Sequence, residues 1–202
     1  MSMNKIILFL NGEKPKNIPA LVDYNLIVCT DGAYDYLTSI NVVPDLIIGD
    51  FDSIEKLPTD INYIHTPDQN LTDFEKAINI IIEKGYINVD VYAANGLEQD
   101  HFLGNMTTAL KYKKFISIIF YDDNQKYYFA DKKTDLYQVK NKTISLFPFP
   151  ETKNVMTTGL KYPLKGNSLS MLENKVGTRN YANDDVVIIT FSSGNLLLFI
   201  ER

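Results

Sequence analysis

Acidic side chains stand where several short apolar runs of the chain end. Asp31 follows the run over residues 26–30, and Asp50 and Asp52 follow the run over residues 45–48. Later apolar runs are followed in the same way by Asp68, Asp73 and Asp100. Because open α/β sheets bind ligands outside the carboxyl ends of their strands, we expect these acids to converge at one edge of a sheet.

So many carboxylates in one crevice predict a site for a divalent cation. Carboxylates repel one another unless a cation compensates their charge, and ligands that are all oxygen favour Mg²⁺. Mg²⁺ commonly shares its coordination shell with substrate phosphates. Gly32, Gly49 and Gly96 stand beside the acids, where a missing side chain lets the backbone approach a phosphate. The residues predict metal-assisted phosphate chemistry, although each aspartate taken singly is equally well explained as a helix cap.

Other chemistries find little support in the sequence. Neither the G-x-x-x-x-G-K-[ST] nor the G-x-G-x-x-G motif occurs. The one cysteine, Cys29, excludes an internal disulfide and any zinc site with several cysteine ligands. Only Arg179 and Arg202 are arginines, so lysines, backbone amides and metal ions would have to hold a phosphate group.

Length and charge restrict the class of protein. The 202 residues suit one globular domain or two small ones, and a net charge of −5 argues against a nucleic-acid partner. No apolar run approaches the roughly 20 residues of a membrane-spanning helix, and residues 1–10 are not followed by a cleavage site of small residues. We therefore expect a soluble, cytoplasmic protein without nucleic-acid or membrane partners.

Strands and helices alternate in the first part of the chain. Apolar runs predict strands over residues 5–10, 26–30, 45–48, 63–66, 88–94 and 115–121. Amphipathic patterns predict helices over residues 33–40, 73–84 and 100–114. Thr72 and Glu75 have the spacing of a capping box, and Gly85 suits the end of the second helix. This alternation predicts a parallel-sheet α/β domain of Rossmann-like type over residues 1–124.

The second part of the chain lacks a helical period. Short runs predict strands over residues 126–130, 136–139, 143–148, 155–160, 168–173, 185–191 and 196–200. Residues 192–195 read as a hairpin turn. The predicted fold class is therefore an N-terminal α/β domain followed by a small all-β sandwich or barrel domain over residues 125–202.

The acidic motifs also occur in a familiar order. They are Asp31-Gly32-Ala33, Pro44-Asp45, Gly49-Asp50-Phe51-Asp52-Ser53, Asp68-Gln69, Thr72-Asp73-Phe74-Glu75-Lys76-Ala77, Gly96, Asp100-His101 and Asn105. Weaker motifs follow in the second part, namely Thr158-Gly159-Leu160-Lys161-Tyr162-Pro163-Leu164 and Gly177-Thr178-Arg179-Asn180. Over nearly its whole length, the chain resembles the thiamine pyrophosphokinases.

The resemblance implies an activity and an assembly. The enzymes of this family transfer diphosphate from Mg-ATP to the hydroxyl of thiamine, giving thiamine diphosphate and AMP. Residues 1–124 would bind Mg-ATP, and residues 125–202 would bind thiamine and form a homodimer with shared active sites. Two alternatives stay open: another Mg-dependent nucleotide or diphosphate hydrolase or transferase on the same scaffold, or a non-catalytic thiamine or nucleotide sensor.

The resemblance also implies roles for individual residues. The catalytic and metal-binding acids would be Asp50, Asp52, Asp73 and Asp100. The ATP side would comprise Asp31, Gly32, Ser53, Gln69, Thr72, Gly96, His101 and Asn105. The thiamine side would comprise Leu160, Tyr162, Arg179 and Asn180.

Two positions depart from the family pattern. Glu98 stands where the family has an arginine, and Arg179 stands where the family has a serine. We predict that the partner subunit's Arg179 supplies the phosphate-facing cation that position 98 lacks, and that Glu98 orients it. The alternative is that both residues are solvated charges on the surface.

Overall fold

The computed structural model describes residues 5–52 and 58–202 of the chain. The chain divides into two compact units, Met1–Asp123 and Asn124–Arg202. No helix of the described segments is both long and apolar enough to cross a membrane.

The first unit is built on a parallel sheet. Its strands are β1 (Lys5–Phe9), β2 (Leu26–Thr30), β3 (Leu46–Gly49), β4 (Asn62–His65), β5 (Asn88–Tyr92) and β6 (Ser117–Tyr121). They lie in the order β4-β3-β2-β1-β5-β6, and neighbours pair in parallel. The direction of strand addition reverses between β1 and β5, so the carboxyl ends of these strands open a crevice suited to a ligand. The central strands are buried on both faces, as their apolar sequences require.

In the described part of this unit, three α-helices accompany the sheet: α1 (Tyr34–Ser39), α2 (Asp73–Glu83) and α3 (Gln99–Tyr112). The hydroxyl oxygen of Thr72 accepts the N–H of Glu75 at 3.2 Å, which caps α2 as its sequence predicts. The Glu75 side chain accepts instead from Lys111 Nζ at 2.5 Å and from Tyr112 Oη at 3.1 Å. These contacts join the first turn of α2 to the last turn of α3.

The second unit is all-β. Its strands are β7 (Gln125–Phe129), β8 (Lys133–Tyr137), β9 (Thr143–Thr158), β10 (Lys165–Ser170), β11 (Gly177–Tyr181), β12 (Val186–Thr190) and β13 (Ser193–Glu201). The long strand β9 pairs antiparallel with β10, β11, β12 and β13. Inward-facing residues of these strands form one apolar core that includes Ile144, Leu146, Val187 and Leu198.

The α/β class followed by a β-rich domain is thus confirmed. The hairpin turn predicted over residues 192–195 is wrong, because β12 and β13 do not pair with each other and both run antiparallel to β9. Two predicted strand assignments in the second unit also differ. Where two strands were predicted over residues 143–148 and 155–160, the structure has the single strand β9. Pro148 lies opposite Leu196, next to a register shift in β13, where a residue without an N–H donor is tolerated. Strand β11 was missed because its sequence, Gly-Thr-Arg-Asn-Tyr, shows no apolar alternation.

Candidate active site

Three carboxylates meet beside the ends of two neighbouring strands. Asp31 follows β2, and Asp50 and Asp52 follow β3, which pairs in parallel with β2. One carboxylate oxygen from each residue lies within 4.8 Å of the other two. Three oxygen donors at this spacing suit a hard divalent cation such as Mg²⁺. We call Asp31, Asp50 and Asp52 the acid cluster.

Asp31 fixes the geometry of this cluster. It is only 4% exposed, and its two carboxylate oxygens accept the N–H groups of Gly32 and Phe51, each at 2.8 Å. Burial raises the pKa of the Asp31 carboxyl, while the two N–H donors act in the opposite direction. Asp31 therefore ties the loop after β3 to the end of β2.

The loop after β3 is held in a strained conformation. Phe51 has a φ of +65°, which is unfavourable for a bulky side chain. Its ring stacks on His65 with centroids 5.8 Å apart and meets the Tyr63 ring edge-on at 5.4 Å. The N–H of Asp52 donates to Asp50 Oδ1 at 3.3 Å across this turn. Ring packing and the Asp31 hydrogen bond thus maintain a turn that brings Asp50 and Asp52 together.

Gly49 offers a direct test of this arrangement. A Cβ at position 49 would overlap the Asp31 carboxylate, so we expect Gly49→Ala to push that group aside and open the acid cluster. Overpacking of this kind costs about 1–3 kcal/mol of unfolding free energy. We expect a lower melting temperature. If the acid cluster holds the metal ion of a reaction, we also expect at least about a tenfold loss of turnover.

The stability control for this substitution is Gly104→Ala. Gly104 lies within α3, where an added Cβ meets no atom within 4 Å, so this variant should melt at the same or a higher temperature. A Gly49→Ala protein with unchanged melting temperature and turnover would contradict the proposed role of Asp31.

A cavity of about 680 Å³ opens at the carboxyl edge of the first unit's sheet. Its lining comes from the end of β2, from the segments after β1, β3, β4 and β5, from the first turn of α2 and from the first two turns of α3. Nine of the predicted ATP-side and catalytic residues line it: Asp50, Asp52, Gln69, Thr72, Asp73, Gly96, Asp100, His101 and Asn105. Asp31 and Gly32 stand outside the lining, and Ser53 lies outside the described residues.

The four acids predicted to hold metal form separate groups around this cavity. Asp50 and Asp52 belong to the acid cluster. Asp73 Oδ1 lies 3.0 Å from the ammonium nitrogen of Lys76. Asp100 has an oxygen within 4.8 Å of donor atoms on Glu98 and His101, a group that is exposed. Besides Asp50 and Asp52, a cation at the acid cluster would therefore lie close to the carboxylate of Asp31. Asp73 and Asp100 do not belong to this group.

Lys76 is a site residue that sequence reasoning left without a role. Its side chain is 5% exposed, yet it lines the cavity. The pKa of Asp50 is held below its ordinary value, chiefly by the hydrogen bond from Gln69 Nε2 at 2.9 Å and also by the charge of Lys76. The sequence carried one signal: a lysine three residues after Asp73 within the amphipathic pattern of α2.

The second unit places the predicted thiamine-side residues in unlike settings. Leu160 is 5% exposed and belongs to the apolar core, whereas Tyr162 is 63% exposed. Arg179 is exposed, with a φ of +54°. Asn180 is buried, and its amide accepts the N–H of Tyr162 at 3.1 Å and donates to the carbonyl of Tyr162 at 2.8 Å. Asn180 therefore shapes the segment that presents Tyr162.

Glu98 already has a partner in the first unit. Its Oε2 lies 3.3 Å from His101 Nε2, and both side chains are more than two-thirds exposed. An exposed pair of this kind contributes little to stability, about 0–1 kcal/mol. The predicted pairing of Glu98 with the partner subunit's Arg179 stays a prediction.

Sequence comparison identifies relatives over most of the chain. The family described as "Thiamin pyrophosphokinase, catalytic domain" matches residues 20–120, and "Thiamin pyrophosphokinase, vitamin B1 binding domain" matches residues 131–196. The thiamine pyrophosphokinase of Bacillus subtilis (strain 168) is 30% identical over 174 residues, which cover 78% of this chain and 81% of that protein. Thiamin pyrophosphokinase 1 of Caenorhabditis elegans is 24% identical, covering 99% of this chain and 90% of that protein.

Solved structures share the fold. The B. subtilis thiamine pyrophosphokinase superposes with a TM-score of 0.82 at 24% identity, covering 98% of this chain and 99% of that one. The thiamin pyrophosphokinase of Candida albicans gives a TM-score of 0.83 at 19% identity, covering 99% of this chain and 89% of that one. Since the two family matches together span most of the sequence, and the B. subtilis relative is matched over four-fifths of its length, the chain belongs to the thiamin pyrophosphokinase family.

Proposed function

We propose that this protein is a thiamine diphosphokinase, which transfers diphosphate from ATP to the hydroxyl of thiamine. One observation carries the proposal: the acid cluster contributes Asp50 and Asp52 to the lining of the 680 Å³ cavity. The described lining residues other than 10–12 all lie within the match to the family's catalytic domain. ATP is the expected diphosphate donor, and the cytoplasm is the expected location of the protein.

The reaction is a displacement at phosphorus. The hydroxyl oxygen of thiamine attacks the β-phosphorus of ATP, the bond from that phosphorus to the oxygen bridging to the α-phosphate breaks, AMP leaves, and the hydroxyl proton is released. Transfers of this type demand orientation and charge neutralisation more than covalent participation by the protein. A cavity rich in fixed charges suits that demand.

Mg²⁺ is the expected metal. The donors of the acid cluster are all carboxylate oxygens, which fit a hard cation better than zinc or copper. Asp50 and Asp52 would bind the ion, and Asp31 would contribute while fixing the loop. When bound, Mg²⁺ would neutralise phosphate charge. Asp73 and Asp100 line the same cavity but lie outside the acid cluster, so they would contribute to metal binding less directly than Asp50 and Asp52.

Other cavity residues would bind and orient the nucleotide. The Lys76 ammonium is a fixed cation for phosphate oxygens. Gln69 holds the Asp50 carboxylate through its amide. Asn105 Nδ2 donates to the carbonyl of Ala94 at 2.9 Å and so fixes the segment after β5. Thr72, Gly96 and His101 complete the ATP side of the cavity.

We further propose that residues 125–202 bind thiamine and form a two-fold homodimer. The match of residues 131–196 to the vitamin B1 binding domain supports the thiamine role. The exposed aromatic rings of Tyr162 and Tyr181 could pack on a flat cation such as thiamine or on a second subunit. Light scattering at micromolar concentration should give the mass of a dimer, and a monomer would contradict the shared active site.

The Arg179 hypothesis predicts unequal effects of two substitutions. If the partner subunit's Arg179 holds phosphate, Arg179→Ala should raise the KM for ATP about tenfold or more, because a charge-assisted hydrogen bond is lost. Glu98→Gln should raise this KM less, since it removes only an orienting group. Steady-state kinetics with Arg202→Ala as the arginine control would measure both effects. Unchanged ATP kinetics in Arg179→Ala would refute the hypothesis.

The decisive experiment for the proposed function is a product assay. Purified protein is incubated with Mg-ATP and thiamine, and the products are separated by chromatography. We expect thiamine diphosphate and AMP in equal amounts. Nucleotide breakdown without thiamine diphosphate would identify a hydrolase, and binding without any product would identify a sensor.

A further inference from the structure

Asn11 lies at the carboxyl end of β1, beside the crevice where the strand order reverses. Its side chain is exposed and lines the cavity. No catalytic or binding role was predicted for it from the sequence.

The backbone on both sides of Asn11 is fixed by the segment at the end of β5. The N–H of Leu10 donates to the carbonyl of Tyr92 at 3.0 Å, and the N–H of Gly12 donates to the carbonyl of Ala93 at 2.8 Å. A Cβ at position 12 would overlap the Ala93 carbonyl oxygen, so the two segments are in close contact. Asn11 is therefore an exposed polar side chain on a rigid support, as is typical of a preorganised binding group.

The Asn11 amide lies against Gly32, the residue that follows Asp31 of the acid cluster. A Cβ built on Gly32 would lie 2.5 Å from Asn11 Nδ2, so the amide nitrogen occupies the space beside the turn that follows β2. Asp31, the residue before Gly32, is the buried member of the cluster. A phosphate bound to a cation at the cluster would therefore lie near this amide.

Asn11 differs in its hydrogen bonding from Gln69 and Asn105, the other side-chain amides of the cavity lining. Gln69 donates to Asp50, and Asn105 donates to the carbonyl of Ala94. Within residues 5–52 and 58–202, the Asn11 side chain has no hydrogen-bond partner. As far as the described residues are concerned, both of its N–H donors are available to a ligand.

The charge of the cavity explains why such a donor is needed. Its described lining includes the carboxylates of Asp50, Asp52, Asp73, Glu98 and Asp100, with Lys76 as its one lysine or arginine. A polyphosphate adds further negative charge, and neutral N–H donors can hold its oxygens without repulsion. We propose that the Asn11 amide donates hydrogen bonds to the polyphosphate of ATP, an inference that rests on the proposed function.

Substitution of Asn11 tests this role. We expect Asn11→Ala to lower kcat/KM for ATP about tenfold to a hundredfold, with the KM for thiamine and the melting temperature unchanged. Asn11→Asp should lose more activity, because it places another carboxylate beside Asp31 and the phosphates. Asn17→Ala is the matched control: it removes the same kind of side chain from an exposed position in the same segment.

A binding measurement separates failure of this inference from failure of the proposed function. Calorimetry with Mg²⁺ and a non-hydrolysable ATP analogue should show at least tenfold weaker binding to Asn11→Ala than to the wild type or Asn17→Ala. A wild type that makes no thiamine diphosphate would overturn the proposed function, while this comparison would still test Asn11. An active wild type with equal analogue affinity and equal kcat/KM in Asn11→Ala would overturn the inference, as would a change confined to the KM for thiamine.

Discussion

Asp52→Asn is expected to lower turnover by about two orders of magnitude or more, because it removes one of the charges that would hold the cation and its phosphates. The Asp52 side chain is exposed, and asparagine has nearly the same shape, so the fold should persist. Production of AMP would be measured at saturating ATP and thiamine over a range of Mg²⁺ concentrations. The half-maximal Mg²⁺ concentration should rise together with the loss of rate.

Asp60→Asn is the control, since Asp60 is exposed and lies outside the acid cluster. A second measurement is independent of turnover. Mg²⁺ should raise the melting temperature of the wild type and of Asp60→Asn, because a ligand that binds only the folded state stabilises it. Asp52→Asn should show a smaller rise. Near-normal turnover in Asp52→Asn would remove the acid cluster from the mechanism.

The convergence of the acids could be predicted because it depends on topology. Apolar runs mark where buried strands end, and parallel strands end at a common edge. The grouping of the acids could not be predicted, because it depends on a few ångströms of side-chain placement. Asp73 lies against Lys76, and Asp100 lies in the exposed group with Glu98 and His101, whereas Asp31 reaches the cluster from a buried position.

The second unit shows a different limit of sequence reasoning. The strand predicted to end at Pro148 continues beyond it within β9, beside a register shift that only the pairing with β13 reveals. The sequence does not show whether a buried asparagine side chain binds a ligand or forms hydrogen bonds with the protein backbone. The Asn180 side chain forms hydrogen bonds with the backbone of Tyr162 and Tyr181. The contact with Tyr162 joins residues 18 positions apart, and only the fold brings them together.

Lys76 carries a positive charge, yet its side chain is almost fully buried. Burial of an ammonium group costs free energy unless nearby negative charge compensates it. Asp73 lies 3.0 Å away but is itself 46% exposed, so it offers only a partial counter-charge. We therefore expect the charge of Lys76 to contribute more to the binding of an anion in the cavity than to the stability of the fold.

Lys76→Met is therefore expected to lower kcat/KM for ATP by about two orders of magnitude, through loss of a charge that acts on the phosphates. Methionine keeps the length and packing of the buried stem, so the melting temperature should stay the same or rise. Lys84→Met, at the exposed end of the same helix, should leave the kinetics unchanged. In Lys76→Met, kcat/KM for ATP would thus fall without a loss of thermal stability. If Lys76→Met melts at a lower temperature and keeps its kcat/KM for ATP, the lysine stabilises the helix and has no part in binding the nucleotide.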